Sequence, residues 1–308
     1  MLCGPLPRRG RILLGFKRNF SAVTLAPSTF HAALHTATAA LAKTSETPRR
    51  DAELLLAHAT GLTPGQIRAR EQSTLDASCS RRLQAAIARR VRGEPIAYIL
   101  GEWEFWSLPL EVTPDVLVPR PETELLVELA LARFAATESR AVLDLGTGSG
   151  AIAIAIASER PHASVTAVDR SSAALAVAAR NVERHVRGRV ELIESDWFEQ
   201  LAGRRYDLIV GNPPYIATAD PALEANVAAH EPALALFAGR AGLDALEAIV
   251  TAAPRHLECG GSLLLEHGHA QDAAVRARFH AAGYAGVVTT SDLAGHARVT
   301  AGVIPAAR

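Results

Sequence analysis

From Arg140 onward the chain alternates short apolar runs with helical stretches, a pattern that few architectures accommodate. Runs rich in β-branched and aliphatic residues occur at Ala141–Leu145, Ser164–Val168, Val190–Ser195, Leu208–Gly211, Ser262–Glu266, Gly286–Thr290 and Arg298–Ile304, and each is expected to be a strand. A strand, a helix and a second strand in succession place the two strands parallel, with the helix crossing one face. The expectation is an open α/β sheet covered by helices on both sides. No convincing helix separates the last two runs, so these are expected to pair antiparallel. Sheets of this kind bind ligands at the C-terminal ends of their strands.

Those strand ends carry unusual residues. The first strand leaves through Asp144-Leu145-Gly146-Thr147-Gly148-Ser149-Gly150 into a helix that starts at Ala151. Glycines at such a bend let the backbone approach a ligand closely. Asp169 follows the second strand, where a carboxylate accepts hydrogen bonds from ribose hydroxyls. The Gly-x-Gly-x-Gly spacing departs from the dinucleotide fingerprint, and no lysine is offered to phosphates. Asp144 ahead of the loop disfavours a pyrophosphate and favours a cation. S-adenosylmethionine is cationic, has a ribose and has no phosphate. The third strand delivers Asp196-Trp197, a carboxylate and an aromatic suited to an adenine amine and ring.

The fourth strand, Tyr206-Asp207-Leu208-Ile209-Val210-Gly211, stops at Asn212-Pro213-Pro214-Tyr215. Two prolines lack the N–H groups a parallel ladder needs, so the tetrapeptide lies just past the strand. The Asn212 side-chain oxygen and the Pro213 carbonyl can each accept one N–H of a planar NH2 group. Tyr215 offers a flat face on which an amide or nucleobase can stack. In isolation the tetrapeptide also fits a structural Pro-rich turn. Joined to the glycine loop, Asp169 and Asp196-Trp197, it reads as the acceptor side of a methyl-transfer site.

Charge bears on what carries that NH2 group. Lys+Arg and Asp+Glu both total 32 in 308 residues, so no global field steers the chain to nucleic acid or a membrane. Cys3, Cys79 and Cys259 are scattered, which argues against a zinc site or a disulfide framework and suits a reducing compartment. No apolar run approaches the roughly 20 residues that span a bilayer. Glu266-His267-Gly268-His269 reads as a strand-end turn and not as a metal pair.

The opening segment has no acidic residue before Glu46 and carries Arg8, Arg9, Arg11, Lys17 and Arg18. It is either an organelle targeting peptide or an unstructured leader added by an early start, and the second is favoured. Residues 1–27 are expected to be a disordered leader. A helical pattern covers 28–97, with Ala32, Ala33, Ala37 and Leu41 on one helix. A second helix starts at Thr47-Pro48 and stops at Gly61, and a third runs from about Cys79 to Val91 with Arg81, Arg82, Arg89 and Arg90 outside. Residues 98–118 are expected to form a β-hairpin linker, and 119–308 the catalytic domain. Within Arg120-Pro121-Glu122-Thr123-Glu124, Thr123 is placed to cap a helix, and the charged residues to form a lip beside a pocket.

From about Ser28 to Ile304 the chain resembles the peptide chain release factor glutamine methyltransferases. The most specific pieces are Glu104-Phe105-Trp106-Ser107-Leu108, Arg120-Pro121-Glu122-Thr123-Glu124 and Asn212-Pro213-Pro214-Tyr215, with Pro48-Arg49-Arg50-Asp51-Ala52-Glu53 in the helical region. The resemblance implies a Rossmann-like S-adenosylmethionine-dependent methyltransferase sheet with a small N-terminal helical domain that recognises the substrate. It implies that Gly146, Thr147, Gly148, Ser149, Gly150, Asp169 and Trp197 bind S-adenosylmethionine, with Asn212 beside it. It assigns the substrate to Asn212, Pro213, Pro214 and Tyr215, and the catalytic role to Asn212, Pro213 and Tyr215.

The implied substrate is the glutamine of the Gly-Gly-Gln loop of peptide chain release factors, methylated on N5 in the cytoplasm. No metal, membrane or direct nucleic-acid contact is expected. The related ribosomal-protein glutamine methyltransferases share the tetrapeptide, and Arg-Pro-Glu-Thr-Glu points to the release-factor branch. Adenine-N6 methylation of DNA or RNA is a further alternative, since a flipped base fits the same grip. Neutral charge and the lack of a phosphate-binding arm weigh against it. A non-catalytic adaptor for a translation factor is disfavoured by the intact cofactor motif.

Overall fold

The computed structural model describes residues 28–218 and 229–306, so the leader expected over residues 1–27 lies outside the described residues. The chain parts into two compact units between Val91 and Arg92, which leaves the hairpin residues in the second.

The first unit is helical, with α1 Phe30–Leu41, α2 Pro48–Thr60, α3 Pro64–Ala69 and α4 Ala77–Val91. Thr29 caps α1 by accepting from the Ala32 N–H, and Gly61 ends α2 in the left-handed conformation at φ 70°. Phe30, Ala33, Leu34, Ala37 and Leu41 form the buried face of α1, one step round from the expected stripe, so Ala32 is exposed. Leu55, Leu56, Leu83 and Ile87 complete this core. Arg90 departs from the expected outward face. It turns in to Asp51, 2.7 Å away and buried, because a carboxylate removed from water needs a partner.

In the second unit Pro95 starts and Gly101 stops a one-turn helix, α5 Ile96–Leu100. The expected hairpin is therefore shorter than its aromatic alternation suggested, with β1 Glu102–Phe105 paired antiparallel to β2 Leu108–Glu111. Its turn places Trp106 and Ser107 at positive φ. Next come α6 Glu124–Leu131, β3 Ala141–Leu145, α7 Ala151–Glu159, β4 Ser164–Asp169, α8 Ser172–His185, β5 Val190–Glu194 and β6 Tyr206–Gly211. The chain continues through α9 Ala233–Leu236, α10 Asp244–Ala252, β7 Leu257–Glu266, α11 Asp272–Ala281, β8 Ala285–Ser291 and β9 Ala297–Val303.

The seven-stranded sheet has the order β5-β4-β3-β6-β7-β9-β8. Strands β3 to β7 are parallel, and β9 is antiparallel to both β7 and β8, as expected for the last two runs. Side-chain alternation sends Val142, Leu208, Val210 and Leu264 to one face, with α6 and α7. Leu143, Leu145, Ile209, Leu263 and Leu265 go to the other, with α10 and α11. Helix α7 is buried from Ala151 through Ala157, and each of its isoleucines stabilises the fold by about 1.5–3 kcal/mol. The strand order reverses at β3, so the crevice between the C-terminal ends of β3 and β6 is the predicted ligand position.

Candidate active site

Register builds the site. Leu145 pairs with Gly211, so the glycine loop and Asn212 leave the sheet side by side. A Cβ on Gly211 would lie 3.0 Å from the Leu145 carbonyl oxygen, which is why this strand end is a glycine. One strand further out, the Ser195 N–H donates to the Asp169 carbonyl at 3.0 Å and brings Asp196-Trp197 to the same edge. Gly146, Thr147, Gly148, Ser149, Asp169, Asp196, Trp197, Asn212 and Pro214 all line one cavity of about 420 Å³. That volume lies within the range of small-molecule sites. A smaller recess of about 70 Å³ is lined by Asn212, Tyr215, Leu117 and Arg120 among others. Asn212 is thus common to both. Two expected contacts line neither: Gly150 caps α7 at φ 85° against Ala178, and Pro213 is buried.

The loop is held by its own backbone. Gly146 and Thr147 both donate to the Val168 carbonyl at 2.9 Å, and the Gly148 N–H donates to Asp169 Oδ2 at 2.9 Å. Asp169 Oδ1 accepts from the Ser171 N–H at 2.9 Å, and lone pairs remain on both oxygens for a ligand. Trp197 sits at φ 49°, a conformation that costs a non-glycine residue energy, and its ring lies against Gly146.

Asp144 acts differently from the sequence argument. It is fully buried beneath the loop, lines neither the cavity nor the recess, and accepts from the Thr147 hydroxyl at 2.6 Å. Burial pushes its carboxyl up to about 7 despite that hydrogen bond, and its Oδ1 has no partner. Asp169 and Asp196 line the cavity instead, as do Asp115 and Asp244.

The tetrapeptide is clamped from behind. Gln271 Nε2 donates to the Tyr215 carbonyl at 3.0 Å and to the Gly242 carbonyl at 3.1 Å. Gly242 has φ 69°, and a Cβ there would come within 2.3 Å of the Tyr215 oxygen. The Tyr215 hydroxyl donates to Glu266 Oε1 at 3.4 Å, and burial followed by the Glu266 charge pushes its pKa up.

Residues 32–101 match the family model described as PrmC N-terminal domain, and residues 122–233 match the Methyltransferase small domain. A release factor glutamine methyltransferase from Pseudomonas aeruginosa is 52% identical over 258 residues, which cover 84% of this chain and 93% of that protein. One from Escherichia coli is 47% identical over 258 residues, with the same coverage of 84% and 93%. The chain belongs to the release factor glutamine methyltransferases. A crystal structure of a methyltransferase from Pyrococcus furiosus, 20% identical, covers 71% of this chain and 97% of that one at a TM-score of 0.50, a likeness of fold.

In this release factor glutamine methyltransferase the Arg-Pro-Glu-Thr-Glu stretch is engaged inside its own unit. Arg120 donates to Glu231 at 2.5 Å, and the Val118 N–H donates to the same buried carboxylate at 3.3 Å. Glu124 accepts from the Trp106 N–H at 2.9 Å. Thr123 does not cap α6. It has helical φ and ψ in a 3₁₀ turn, and its hydroxyl accepts from Asn212 Nδ2 at 3.0 Å.

Sequence reasoning missed Glu231, Gln271 and the role of Glu266, because each acts from a distant element, Glu231 on Arg120 and the other two on Tyr215. Only Glu266, at a predicted strand end, had a local signal. Among the described residues no group of three or more His, Cys, Asp or Glu is placed to hold a metal ion, and no helix is long and apolar enough to cross a membrane. His267 is buried and bonded to Gly268 and Thr300, which makes it a core residue.

Proposed function

We propose that the site moves a methyl group from S-adenosylmethionine to the N5 amide nitrogen of the glutamine in the Gly-Gly-Gln loop of a peptide chain release factor. One observation carries the reading: Asn212 lines both the large cavity and the small recess, so the occupants of the two meet at its side chain. The large cavity suits the methyl donor. It combines a glycine backbone cradle, the Trp197 ring and the Asp169 and Asp196 carboxylates. When bound, S-adenosylmethionine supplies an electrophilic methyl on a sulfonium. The recess between Leu117, Arg120, Asn212 and Tyr215 has room for a side-chain amide.

An amide nitrogen is a poor nucleophile because its lone pair is delocalised into the carbonyl. The chain answers this by holding the nitrogen in line with the methyl. The N–C bond forms as the S–C bond breaks, and positive charge develops on nitrogen. The Asn212 oxygen and the Pro213 carbonyl accept its N–H groups and stabilise that charge. The nitrogen then loses one proton to water. The helical residues 28–97 supply the surface that recognises the release factor, and the reaction belongs in the cytoplasm where release factors work.

Labelled methyl transfer to purified release factor, followed by peptide mapping, tests the reading. Label is expected on one glutamine of the release factor, with none on a ribosomal protein or on DNA. Label on a different residue, or on nucleic acid alone, overturns it.

The donor half of the site makes its own prediction. Asp169→Ala removes a charge-assisted hydrogen-bond acceptor worth about 1.5–3 kcal/mol, so affinity for S-adenosylmethionine is expected to fall roughly tenfold to a hundredfold. Turnover at saturation should fall less, since the carboxylate is remote from the moving methyl. Calorimetry that finds unchanged affinity removes Asp169 from the site.

A further inference from the structure

The recess holds a guanidinium that the methyl transfer, as derived above, does not use. Arg120 lines both the recess and the large cavity. Its Nη2 donates to Glu231 Oε1 at 2.5 Å, and Glu231 Oε2 accepts from the Val118 N–H at 3.3 Å. The Glu231 side chain is 1% exposed and lines neither space, whereas that of Arg120 is 36% exposed. The carboxylate is thus held behind the wall, and the guanidinium reaches from it to the surface of the recess. A buried ion pair of this kind is weak evidence for stability, since well-packed apolar side chains would serve at least as well. Its place beside the recess suggests what it does.

A side-chain amide has two polar ends. Asn212 Oδ1 and the Pro213 carbonyl serve the N–H end, and the carbonyl oxygen of the substrate then needs a donor, because burying it unpaired costs affinity. Three polar side chains line the recess: Arg120, Asn212 and Tyr215. Asn212 turns its Nδ2 to Thr123 at 3.0 Å, and the Tyr215 hydroxyl donates to Glu266 at 3.4 Å. A guanidinium carries more N–H donors than one carboxylate oxygen can take. Among the described residues Arg120 is bonded to Glu231 alone, so it has donors left.

We propose that Arg120 donates to the carbonyl oxygen of the substrate amide, and that Glu231 cancels its charge so that the recess prefers an amide to a carboxylate. The inference rests on the reading that the recess receives a glutamine side chain. A guanidinium without a partner would draw a carboxylate into a charge-assisted pair, stronger than its hydrogen bond to a neutral oxygen. Paired with Glu231, it offers N–H groups and no net charge. Arg120 is then a specificity residue that touches the substrate, and Glu231 a positioning residue that acts through it. As the nitrogen lone pair moves to the methyl it leaves conjugation, and the carbonyl oxygen becomes less basic. The Arg120 hydrogen bond therefore does not strengthen in the transition state and acts on substrate affinity.

The test measures binding to the full chain with S-adenosylhomocysteine, the demethylated donor, in place so that no transfer occurs. Release factor carries either glutamine or glutamate at the target position, and the ratio of the two dissociation constants cancels contacts made elsewhere. The parent is expected to favour glutamine. Glu231→Gln keeps the shape, removes the charge, and should shift the ratio toward glutamate about tenfold or more. Arg120→Met combined with Glu231→Gln removes the guanidinium without leaving a buried carboxylate unpaired. It should weaken binding of the glutamine form about tenfold and abolish the shift toward glutamate.

A merely structural role lowers thermal stability and both affinities together, and leaves the ratio in place. A ratio within twofold of the parent in Glu231→Gln, or unchanged affinity for the glutamine form in the double variant, overturns the proposal. Failure of the functional reading looks different, because the parent itself would then bind the two forms alike. If Glu231→Gln does not fold, Arg120→Lys decides, since it keeps the ion pair and loses the planar fork. The glutamine form is then expected to bind about tenfold more weakly, and unchanged affinity overturns the proposal.

Discussion

Release factor whose target glutamine is replaced by glutamate is expected to accept methyl at least about 10⁴-fold more slowly than the natural substrate. A site built to hydrogen-bond an N–H rejects an isostere lacking it by about 10⁴–10⁵, because the buried polar groups of the site are left unpaired. Here the mismatch is also electrostatic. The proposed partners, Asn212 Oδ1 and the Pro213 carbonyl, are acceptors, and a carboxylate brings them two more acceptor oxygens. The guanidinium in the recess, Arg120, is already committed to Glu231. Asp169 and Asp196 face the adjoining cavity and add like charge. Single-turnover labelling of the two substrates, read by mass spectrometry, measures the ratio. A glutamate substrate labelled within tenfold of the parent would show that the recess does not recognise the amide N–H.

The part of the molecule that was legible in the sequence is the part built from local pattern. Ala141–Leu145 and Leu208–Gly211 read as strands because β-branched runs ended in Gly or Pro, and the sheet aligns their ends at the reversal of strand order. Once the strands were placed, the glycine loop, Asp169, Trp197 and Asn212 fell on one edge. Short elements were less legible. The alternation through Tyr98–Trp106 suits a strand, yet Pro95 and Gly101 bracket a helical turn over its first residues. Helix α3 lies between two expected helices and is too short for apolar periodicity to show, although Thr63 and Gln66 form a capping box.

What sequence could not show was how the site is supported. Thr123 has the composition and spacing of an N-cap, and only the fold reveals that its hydroxyl faces Asn212, 89 positions away. Gln271 grips the Tyr215 carbonyl from the start of α11, and Glu266, on β7, accepts from the Tyr215 hydroxyl. These contacts exist because β7 lies beside β6, a fact of topology that no local window contains. Asp144 misled for a related reason. Its position ahead of the loop suggested a charge facing the ligand, whereas full burial raises its pKa and directs it to Thr147.

Asn212→Ala is expected to cost roughly 10²–10³ in turnover, or about 3–4 kcal/mol, by analogy with deleting one preorganised hydrogen-bonding group. The residue earns that figure from its location more than from its chemistry. Asn212 follows the strand end at Gly211, where close approach to Leu145 fixes the backbone, and Pro213 follows it with a fixed φ. Its carboxamide is anchored on one side by Thr123, so the remaining oxygen needs little reorganisation as charge builds on the substrate nitrogen. An interaction that strengthens as the methyl transfers acts on kcat, while affinity for the ground-state amide changes little. Affinity for S-adenosylmethionine is expected to fall by no more than about tenfold, one hydrogen bond's worth. Rapid-quench measurement of the chemical step with saturating release factor separates the two effects. A variant whose chemical step runs within fivefold of the parent, with the whole loss in cofactor binding, would make Asn212 a donor-site residue and leave the acceptor role to the backbone of the tetrapeptide.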